Sequence, residues 1–412
     1  MTAFASLATD LSIGLRNLLR QRGRTLFAVG ALSFGVTALL LAGGFIEWMF
    51  FGMREWTIHS QLSHIQAMRP GYLQGGTAEP FAYLLPRDAK QMAEIADLPE
   101  TRVVGPRLSF NGLVSRDDVT LSFIGVGARP EQENELARTL EVTEGEGLSS
   151  SEPRGIVLGR GLAANLGAGV GDTVVLMAKT GAGSLNAVEC RVRGLFATVS
   201  KAYDDAVLRV PLDTAEDLLR VAGAHTWMIL LQQTSQTDRV LRELRARYAD
   251  APLQFVPWSE LADLYNKTVA LFSRQVAVLQ LIVAVIIVLS VSNTMARSVI
   301  ERTGEIGTAM ALGLRRRRVM RLFVLEGALL GLVGGGVGLV LGTVVATAVS
   351  AVGIPMPPPP GSAQPMRGEI MLTPALARDA LLLAVGAAIL ASAYPAWKAS
   401  RLPIVDALRH NR

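Results

Sequence analysis

The stretch ERTGEIGTAMALGLRRRR, residues 301–318, separates two long apolar runs in the 412-residue chain. Small or apolar residues recur in and beside it at the three- and four-residue spacing of one helix face: Ile300, Thr303, Gly307, Met310 and Leu314. Gly313 is of the residue type that ends helices. The pattern predicts a short amphipathic helix that lies on lipid or inserts into a soluble partner. Its mixed charges and few apolar positions favour the partner.

The neighbouring apolar runs are long enough to cross a membrane. Half of the residues are apolar and only 18% are charged. A spanning helix needs about 20 mostly apolar residues, and four stretches meet this requirement: residues 25–46, 276–295, 319–349 and 380–397. The first exceeds the apolar region of about 7–15 residues in a secretory signal, so we expect it to be retained. The sequence therefore predicts an α-helical membrane protein with four transmembrane helices.

The distribution of charge predicts the orientation of these helices. Residues 1–24, 296–321 and 397–412 carry net charges of +3, +5 and +3, whereas residues 47–275 hold 23 basic and 28 acidic residues. Positively charged segments stay on the cytoplasmic side of a membrane. We therefore expect both termini and the loop 296–318 in the cytoplasm. The basic charge then reflects topology, and nucleic acid is not an expected partner.

The segments that flank the spans have patterns of their own. Residues 1–24 contain an apolar stripe at helical spacing (Leu7, Leu11, Leu15 and Leu18). The stripe predicts an amphipathic elbow helix at the cytoplasmic surface, with a continuation of the first span as the alternative.

The outer loop 350–379 contains four consecutive prolines, which predict a stiff polyproline segment. This segment is either a rigid linker or a strap beside a substrate cavity, and the linker is favoured. Residues 398–412 are predicted to form a cytoplasmic tail.

The block 47–275 mixes strand-like and helix-like segments. TRVVGPRLSF and VTLSFIGVGA resemble strands, whereas DTAEDLLRVAG and QTDRVLRELRARYAD resemble amphipathic helices. This mixture predicts a large α+β domain outside the cytoplasm. The segment GLAANLGAGVGDTVVLM predicts a short helix, glycine turns and a strand. It is not a phosphate-binding loop, because no Gly-Lys-Ser or Gly-Lys-Thr follows its glycines.

Motifs for catalysis and metal binding are missing from the sequence. None of the four histidines belongs to a His-Glu-x-x-His pattern, and no Gly-x-Ser-x-Gly elbow occurs. His59 and His64 are expected to be solvated or to cap helices. We therefore expect no catalytic residue, cofactor site or metal site on this chain, and no enzymatic activity of its own.

The third apolar run, residues 319–349, is rich in glycine. Two series recur at intervals of four, Gly327, Gly331 and Gly335, and Gly334, Gly338 and Gly342. Small residues at this spacing form a groove that lets another helix approach closely. The groove can be filled by a helix of the same chain or by a second permease, and the sequence favours neither. Glycine that merely makes the helix pliable is the other interpretation.

The stretch SNTMARSVIERTGEIGTAMALGLRRRRVMRLFVLEGALLGLVGGGVG, residues 292–338, resembles the signature of FtsX-like permeases. That family includes the MacB-type and LolC/LolE-type permeases of type VII ABC transporters. The tail YPAWKASRLPIVDALRHNR resembles the family ending, and GRGLAANLGAGVGDTVVLM resembles part of a MacB-like periplasmic core domain.

The resemblance implies roles for particular residues. Those at 301–313 would form a coupling helix seated on an ABC ATPase subunit: Glu301, Arg302, Glu305, Ile306, Gly307, Met310 and Gly313. ATP and Mg would be bound by that partner. A second permease, in a homodimer or heterodimer, and membrane lipid are the other implied partners, and a periplasmic carrier or adaptor is a further candidate. The implied location is the cell inner membrane.

The resemblance also implies a function. The chain would be a permease subunit that couples ATP hydrolysis on a separate subunit to conformational change outside the membrane. It would move a lipoprotein, a lipid or another amphipathic substrate out of the inner membrane or periplasm. The alternative is a non-transporting mechanotransmission subunit that controls an extracytoplasmic hydrolase or sensor. Cargo identity is not readable from these residues.

Overall fold

The computed structural model describes residues 16, 20, 22–76, 78–137, 140–198, 200–356 and 366–401. The chain divides into two compact units. The helical unit comprises residues 1–51, 268–355 and 367–412, and the sheet unit comprises residues 52–267 and 356–366. The elbow helix predicted within 1–24 lies mostly outside the described residues, as do the prolines 357–360 and most of the tail.

The helices, in chain order, are α1 Arg22–Thr57, α2 Tyr72–Gly75, α3 Lys90–Ala96, α4 Pro130–Leu136, α5 Arg160–Leu166, α6 Lys201–Asp204, α7 Leu212–Leu219, α8 Thr237–Arg247, α9 Trp258–Leu261, α10 Asp263–Glu301, α11 Thr303–Ala311, α12 Arg316–Val352 and α13 Pro374–Ser400. A π-helical turn, Ile58–Leu62, continues α1. Two 3-10 turns lie at Pro80–Tyr83 and Thr234–Gln236.

The strands are β1 Ile65–Met68, β2 Thr101–Arg116, β3 Val119–Ala128, β4 Glu141–Gly145, β5 Gly155–Gly159, β6 Thr173–Lys179, β7 Leu185–Ala197, β8 Val207–Pro211, β9 Thr226–Leu231, β10 Gln254–Pro257, β11 Ile354–Met356 and β12 Met366–Gly368. The last two pair in a small separate sheet.

Within the described residues, four helices are long and apolar enough to cross a membrane, namely α1 with its π-helical turn, α10, α12 and α13. They run beyond the predicted spans: α1 reaches Thr57 instead of ending at residue 46, and α10 begins at Asp263 instead of residue 276. Hydropathy locates the part of a helix that suits lipid. The backbone hydrogen bonds continue into polar sequence until a stop signal interrupts them.

The core of the helical unit is formed by apolar stripes of its long helices. Its fully buried members include Leu32 and Val36 of α1, Ile287 and Val291 of α10, and Ala388 of α13. The buried positions of α13 are mostly alanine and serine. Small side chains allow helix axes to approach closely, and the glycines of α12 use this property.

The sheet unit is built on one ten-stranded mixed sheet. Its main path is β10-β1-β9-β2-β3-β8-β5-β7-β4, and β6 pairs with both β2 and β7. Most pairs are antiparallel, but β3–β8 and β5–β7 are parallel. Helices pack on this sheet over apolar clusters, which establishes the predicted α+β domain. The predicted strand at residues 119–128 matches β3.

The glycine-rich segment after α5 forms the predicted helix, turns and strand. Helix α5 ends at Gly167, whose φ is +68°, and Gly171 has a φ of +97° before β6 begins. Glycine adopts such positive φ values without the steric penalty that a Cβ would bring. These glycines are turn residues, as the sequence predicts.

Candidate functional site

Helix α11 is a nine-residue helix between α10 and α12. Gly313 follows it with a φ of +99°, and the Leu314 N–H donates to the Ala309 carbonyl at 3.0 Å. This six-to-one bond is the Schellman pattern by which glycine ends a helix. The chain then enters α12 at Arg316, with Arg315 in an extended conformation.

One face of α11 is covered by the chain itself. Ile306, Gly307 and Met310 are buried, and both apolar side chains belong to the core of the helical unit. These three residues are among those expected to couple the chain to the ATPase. Their burial places them on the inner face of α11, where they pack within the helical unit, and their role in coupling stays a prediction.

The opposite face of α11 is exposed. Glu305, Thr308 and Ala311 lie on it, and Leu312, directly after the helix, is 85% exposed. Ile300 was predicted to lie on the apolar face but is 61% exposed. The exposed surface formed by Glu305, Thr308, Ala311 and Leu312 is called the loop-helix face below.

A largely buried ion pair attaches Arg302, the residue directly before α11, to α12. Arg302 Nη1 lies 3.2 Å from Glu326 Oε2, and the two side chains are 12% and 6% exposed. Burying two charges is costly, so breaking such a pair by removing one partner is strongly destabilising. Local sequence patterns did not predict this pair, because the two residues are 24 positions apart in the chain.

Ion pairs also connect this region to the start of α1. Arg24 is paired with Glu301, and Arg20 Nη1 lies 3.1 Å from Glu305 Oε1. Arg302 Nε lies 3.8 Å from the other Glu305 oxygen. Glu301 and Glu305 therefore have partners within the chain. Exposed pairs of this kind contribute little free energy individually, but together they define the orientation of α11.

The first glycine series of α12 faces α13. A Cβ added at Gly331 would lie 2.9 Å from Val385 Cα, and one at Gly335 would lie 2.7 Å from Leu381 Cδ1. At Gly327, an added Cβ would collide with Ser392. Such distances are shorter than ordinary contacts. A larger side chain therefore requires movement of the α13 backbone at Gly327 and Gly331, and at least of the Leu381 side chain at Gly335.

The second glycine series faces α1. An added Cβ at Gly334 would lie 2.6 Å from Leu32 Cβ, and one at Gly338 would lie 2.8 Å from the Ser33 carbonyl oxygen. At Gly342, the nearest atom would be Leu40 Cδ1 at 2.6 Å. The Ser33 hydroxyl donates to the Gly334 carbonyl at 2.9 Å, which strengthens the same contact. Helices of the same chain thus occupy both grooves of α12.

The sheet unit contains a cavity of about 980 Å³. Aromatic side chains line part of it, among them Tyr72, Phe81 and Phe110, while Lys179 and Glu79 carry its charges. Its volume lies at the upper end of the range of about 300–1,000 Å³ that is typical of ligand pockets.

Two histidines of the sheet unit are buried, contrary to the expectation that His64 is solvated or a cap. Burial lowers the pKa of His64 to about 4, and the charges of His59 and Arg54 act in the same direction. Burial also lowers the pKa of His225 to about 4. Both rings are therefore neutral at pH 7.

In the part of the chain that the structure describes, no group of three His, Cys, Asp or Glu residues is arranged to hold a metal ion.

Two family models match the chain. The FtsX-like permease C-terminal model matches residues 277–404, which include α11, α12 and α13. The MacB-like periplasmic core domain model matches residues 25–247, which include most of the sheet unit.

Three individual proteins are similar to parts of the chain. An uncharacterized ABC transporter permease of Methanocaldococcus jannaschii is 28% identical over 222 residues, covering 51% of this chain and 53% of that protein. The lipoprotein-releasing system transmembrane protein LolC of Xylella fastidiosa is 25% identical over 304 residues, covering 69% and 72%. The periplasmic region of MacB from Actinobacillus actinomycetemcomitans aligns with a TM-score of 0.37 and 11% identity over 51% of this chain and 94% of that chain. The matched part of this chain thus spans about half the length of the archaeal permease.

Proposed function

Because the chain belongs to the FtsX-like permease family and carries its MacB-like periplasmic core domain, we propose that it couples ATP hydrolysis to extracytoplasmic conformational change. The ATPase is a separate subunit that binds ATP and Mg. In this proposal the membrane-spanning permease converts closure of the ATPase into movement of its helices. A second permease completes the complex, as a homodimer or a heterodimer.

The observation that carries this proposal is the geometry of α11. Its inner face is buried, and its orientation is defined by Arg302–Glu326 and by the pairs with Arg20 and Arg24. A force applied to the loop-helix face would therefore be transmitted to α12 and α1 rather than absorbed by a flexible loop. Leu312, which stands at the exposed end of this face, is suited to contact an apolar pocket of the partner.

The orientation in the proposal follows from charge. Seven arginines within residues 296–321 favour the cytoplasmic side for α11, where an ATPase is available. The sheet unit, with its acidic balance, would then lie outside the inner membrane. A periplasmic carrier or adaptor protein would meet the sheet unit there.

The cargo in the proposal is a lipoprotein, a lipid or another amphipathic molecule. The cavity of about 980 Å³ supports this class, because its aromatic lining offers apolar surface and Lys179 offers a cation for an anionic group. The alternative remains a non-transporting subunit that controls an extracytoplasmic hydrolase or sensor. Stimulation of the ATPase by a lipoprotein would favour transport, whereas co-purification of a cell-wall hydrolase would favour control.

The substitution Leu312→Asp tests the ATPase contact. An aspartate at an apolar contact should weaken co-purification of the ATPase about tenfold, equivalent to about 1.4 kcal/mol. Leu185→Asp is the matched control, because Leu185 is 73% exposed but belongs to the sheet unit. If both variants retain the ATPase equally, with normal hydrolysis, α11 is a helix on the lipid surface and the proposed coupling is wrong.

A further inference from the structure

The sheet unit contains a buried cluster of charges that the proposed function does not use. Arg107 of β2, Arg209 of β8 and Glu133 of α4 are 7%, 3% and 5% exposed. Glu133 is paired with Arg209, and its second oxygen lies 3.4 Å from Arg107 Nη2. The cluster therefore has two positive charges and one negative charge. A buried excess of charge needs compensation from another polar group.

That compensation comes from the end of a helix. Arg107 Nη1 donates to the Gln61 carbonyl at 2.6 Å, and Arg209 Nη2 donates to the Ser60 carbonyl at 3.1 Å. Both carbonyls belong to the π-helical turn that continues α1. The last carbonyls of a helix lack partners inside it and carry the negative end of its dipole. Two guanidinium groups thus neutralise and bind the end of α1.

The surroundings restrict movement of this cluster. Arg209 Nη2 also lies 3.1 Å from the Tyr203 hydroxyl. Beside the cluster, the Ser63 N–H donates to the Ile58 carbonyl at 2.8 Å, and Ser63 has a φ of +52°. A positive φ is unfavourable for serine, so the turn is held in a conformation that the local sequence alone does not prefer. Contacts to β2 and β8 hold this turn, and so does Gln66 of β1, whose side chain donates to the Leu62 carbonyl at 3.0 Å.

We infer that Arg107, Arg209 and Glu133 are positioning residues that fasten the π-helical turn at the end of α1 to the sheet, so that displacement of this turn is passed to β2 and β8. The inference rests on the proposed function for the source of that displacement. Stability alone is a poor explanation of the cluster, because well-packed apolar residues often replace buried ion networks without loss of stability. Such a replacement would, however, remove the hydrogen bonds that Arg107 and Arg209 donate to the Gln61 and Ser60 carbonyls.

The test is the triple variant Arg107→Met, Glu133→Leu, Arg209→Met. It removes all three charges together and leaves the carbonyls of Ser60 and Gln61 without their guanidinium donors. The matched control is Arg102→Met, Glu135→Leu, which removes a 2.7 Å ion pair that joins the same strand and helix, β2 and α4. If the triple variant does not fold, the double variant Arg107→Lys, Arg209→Lys takes its place in both readouts. Lysine keeps the positive charge, but its shorter side chain should not reach the Ser60 and Gln61 carbonyls as the arginines do.

The first readout is the distance between spin labels on cysteines placed at Gly52 and Ser122 of the full chain, in a Cys190→Ala background. Both positions are exposed and lie in the sheet unit. The distance distribution should be narrow in the parent chain and in the control, and about twofold wider in the triple variant. An equally narrow distribution in a folded triple variant would overturn the fastening of α1. This measurement does not require the ATPase.

The second readout uses the complex with the ATPase and labels at Leu26 of α1 and Ser122 of β3. A non-hydrolysable ATP analogue should shift this distance in the parent complex, and the triple variant should show less than about half of that shift. A full shift in the triple variant would overturn the transmission role. If the parent complex shows no shift, the proposed coupling fails, whereas the first readout still decides whether the cluster fastens α1.

Discussion

At the scale of single residues, His64 shows how burial controls a charge. Its Nδ1 accepts a hydrogen bond from the Leu231 N–H at 3.0 Å, and its Nε2 lies 3.1 Å from the Thr234 hydroxyl. The ring is almost completely buried. Protonation would break the bond from Leu231 and place a charge near His59 and Arg54. The neutral ring is therefore part of the folded state.

The lowered pKa of His64 predicts a loss of stability in acid. The folded pKa is about 4, below the usual 6.5, so the unfolded chain binds the proton more strongly between these values. The stabilisation is complete above pH 6.5 and decreases as the pH falls toward 4. By pH 5 the loss should be about 2 kcal/mol.

Thermal unfolding of the parent chain and of His64→Asn, measured at pH 7.5 and pH 5, checks this expectation. The variant should have a lower melting temperature than the parent at pH 7.5, but its melting temperature should decrease less when the pH is lowered to 5. A residual pH dependence is expected from His225, whose pKa is lowered in the same way. If His64→Asn shows the full acid dependence of the parent, His64 is not its source.

Residue roles on α11 could be predicted only in part. Gly313 ends the helix as its residue type indicates, because that property is local. The burial of Ile306 and Met310, and the pair between Arg302 and Glu326, depend on which other helices cover α11. A periodic pattern shows that a helix has two faces. It does not show whether the apolar face is covered by the same chain or by a partner.

At the scale of elements, α12 packs between α13 and α1. Its two glycine series lie on different faces, and each face contacts one of these helices. Glycine costs roughly 1 kcal/mol per residue in a helix in water. The close helix contacts on two faces of α12 explain why its sequence contains these glycines despite their low helix propensity.

The double substitution Gly331→Leu, Gly335→Leu should separate α12 from α13. Each leucine would overlap atoms of α13, and overpacking typically costs about 1–3 kcal/mol per site. The melting temperature in detergent should fall, and the particle size should change if permease pairing is lost.

The matched control for this prediction is Gly336→Leu. A Cβ at Gly336 would meet nothing within 4 Å, although it is next to Gly335 on the same helix. This control should therefore retain the parent stability. A Gly331→Leu, Gly335→Leu variant as stable and active as the control would contradict close packing and would favour pliability.

Element types were easier to predict than element ends. The strands β3 and β6 and the helices α7 and α8 follow from alternating or helical apolar patterns. The extension of α1 through Thr57 and the π-helical turn do not, because the signals that stop them are tertiary. Arg107 and Arg209 bind that turn from strands that lie far away in the sequence.

At the scale of the whole molecule, the orientation in the membrane is a prediction from charge. A cysteine at Ser150, which is exposed in the sheet unit, should react with an impermeant thiol reagent applied to intact cells. A cysteine at Arg316, which is exposed at the start of α12, should react only after the cells are opened. The reverse pattern would invert the topology.

The architecture of the whole molecule was largely predictable. Spans of about 20 apolar residues and a mixed α+β block are strong patterns, since lipid and a sheet core each demand a particular residue periodicity. The strand order of the sheet was not predictable. Non-adjacent pairings such as β3 with β8 depend on long-range contacts that no local pattern records.

The most direct test of the coupling proposal places a photo-crosslinking amino acid at Thr308, on the loop-helix face. The same group at Leu341, which is 49% exposed on α12, is the control. In membranes that contain the ATPase, Thr308 should yield a crosslinked band with the mass of permease plus ATPase, and a non-hydrolysable ATP analogue should change its intensity. Leu341 should yield no such band. A Thr308 variant that crosslinks only lipid, in a complex that still hydrolyses ATP normally, would contradict the role of α11 as the ATPase contact.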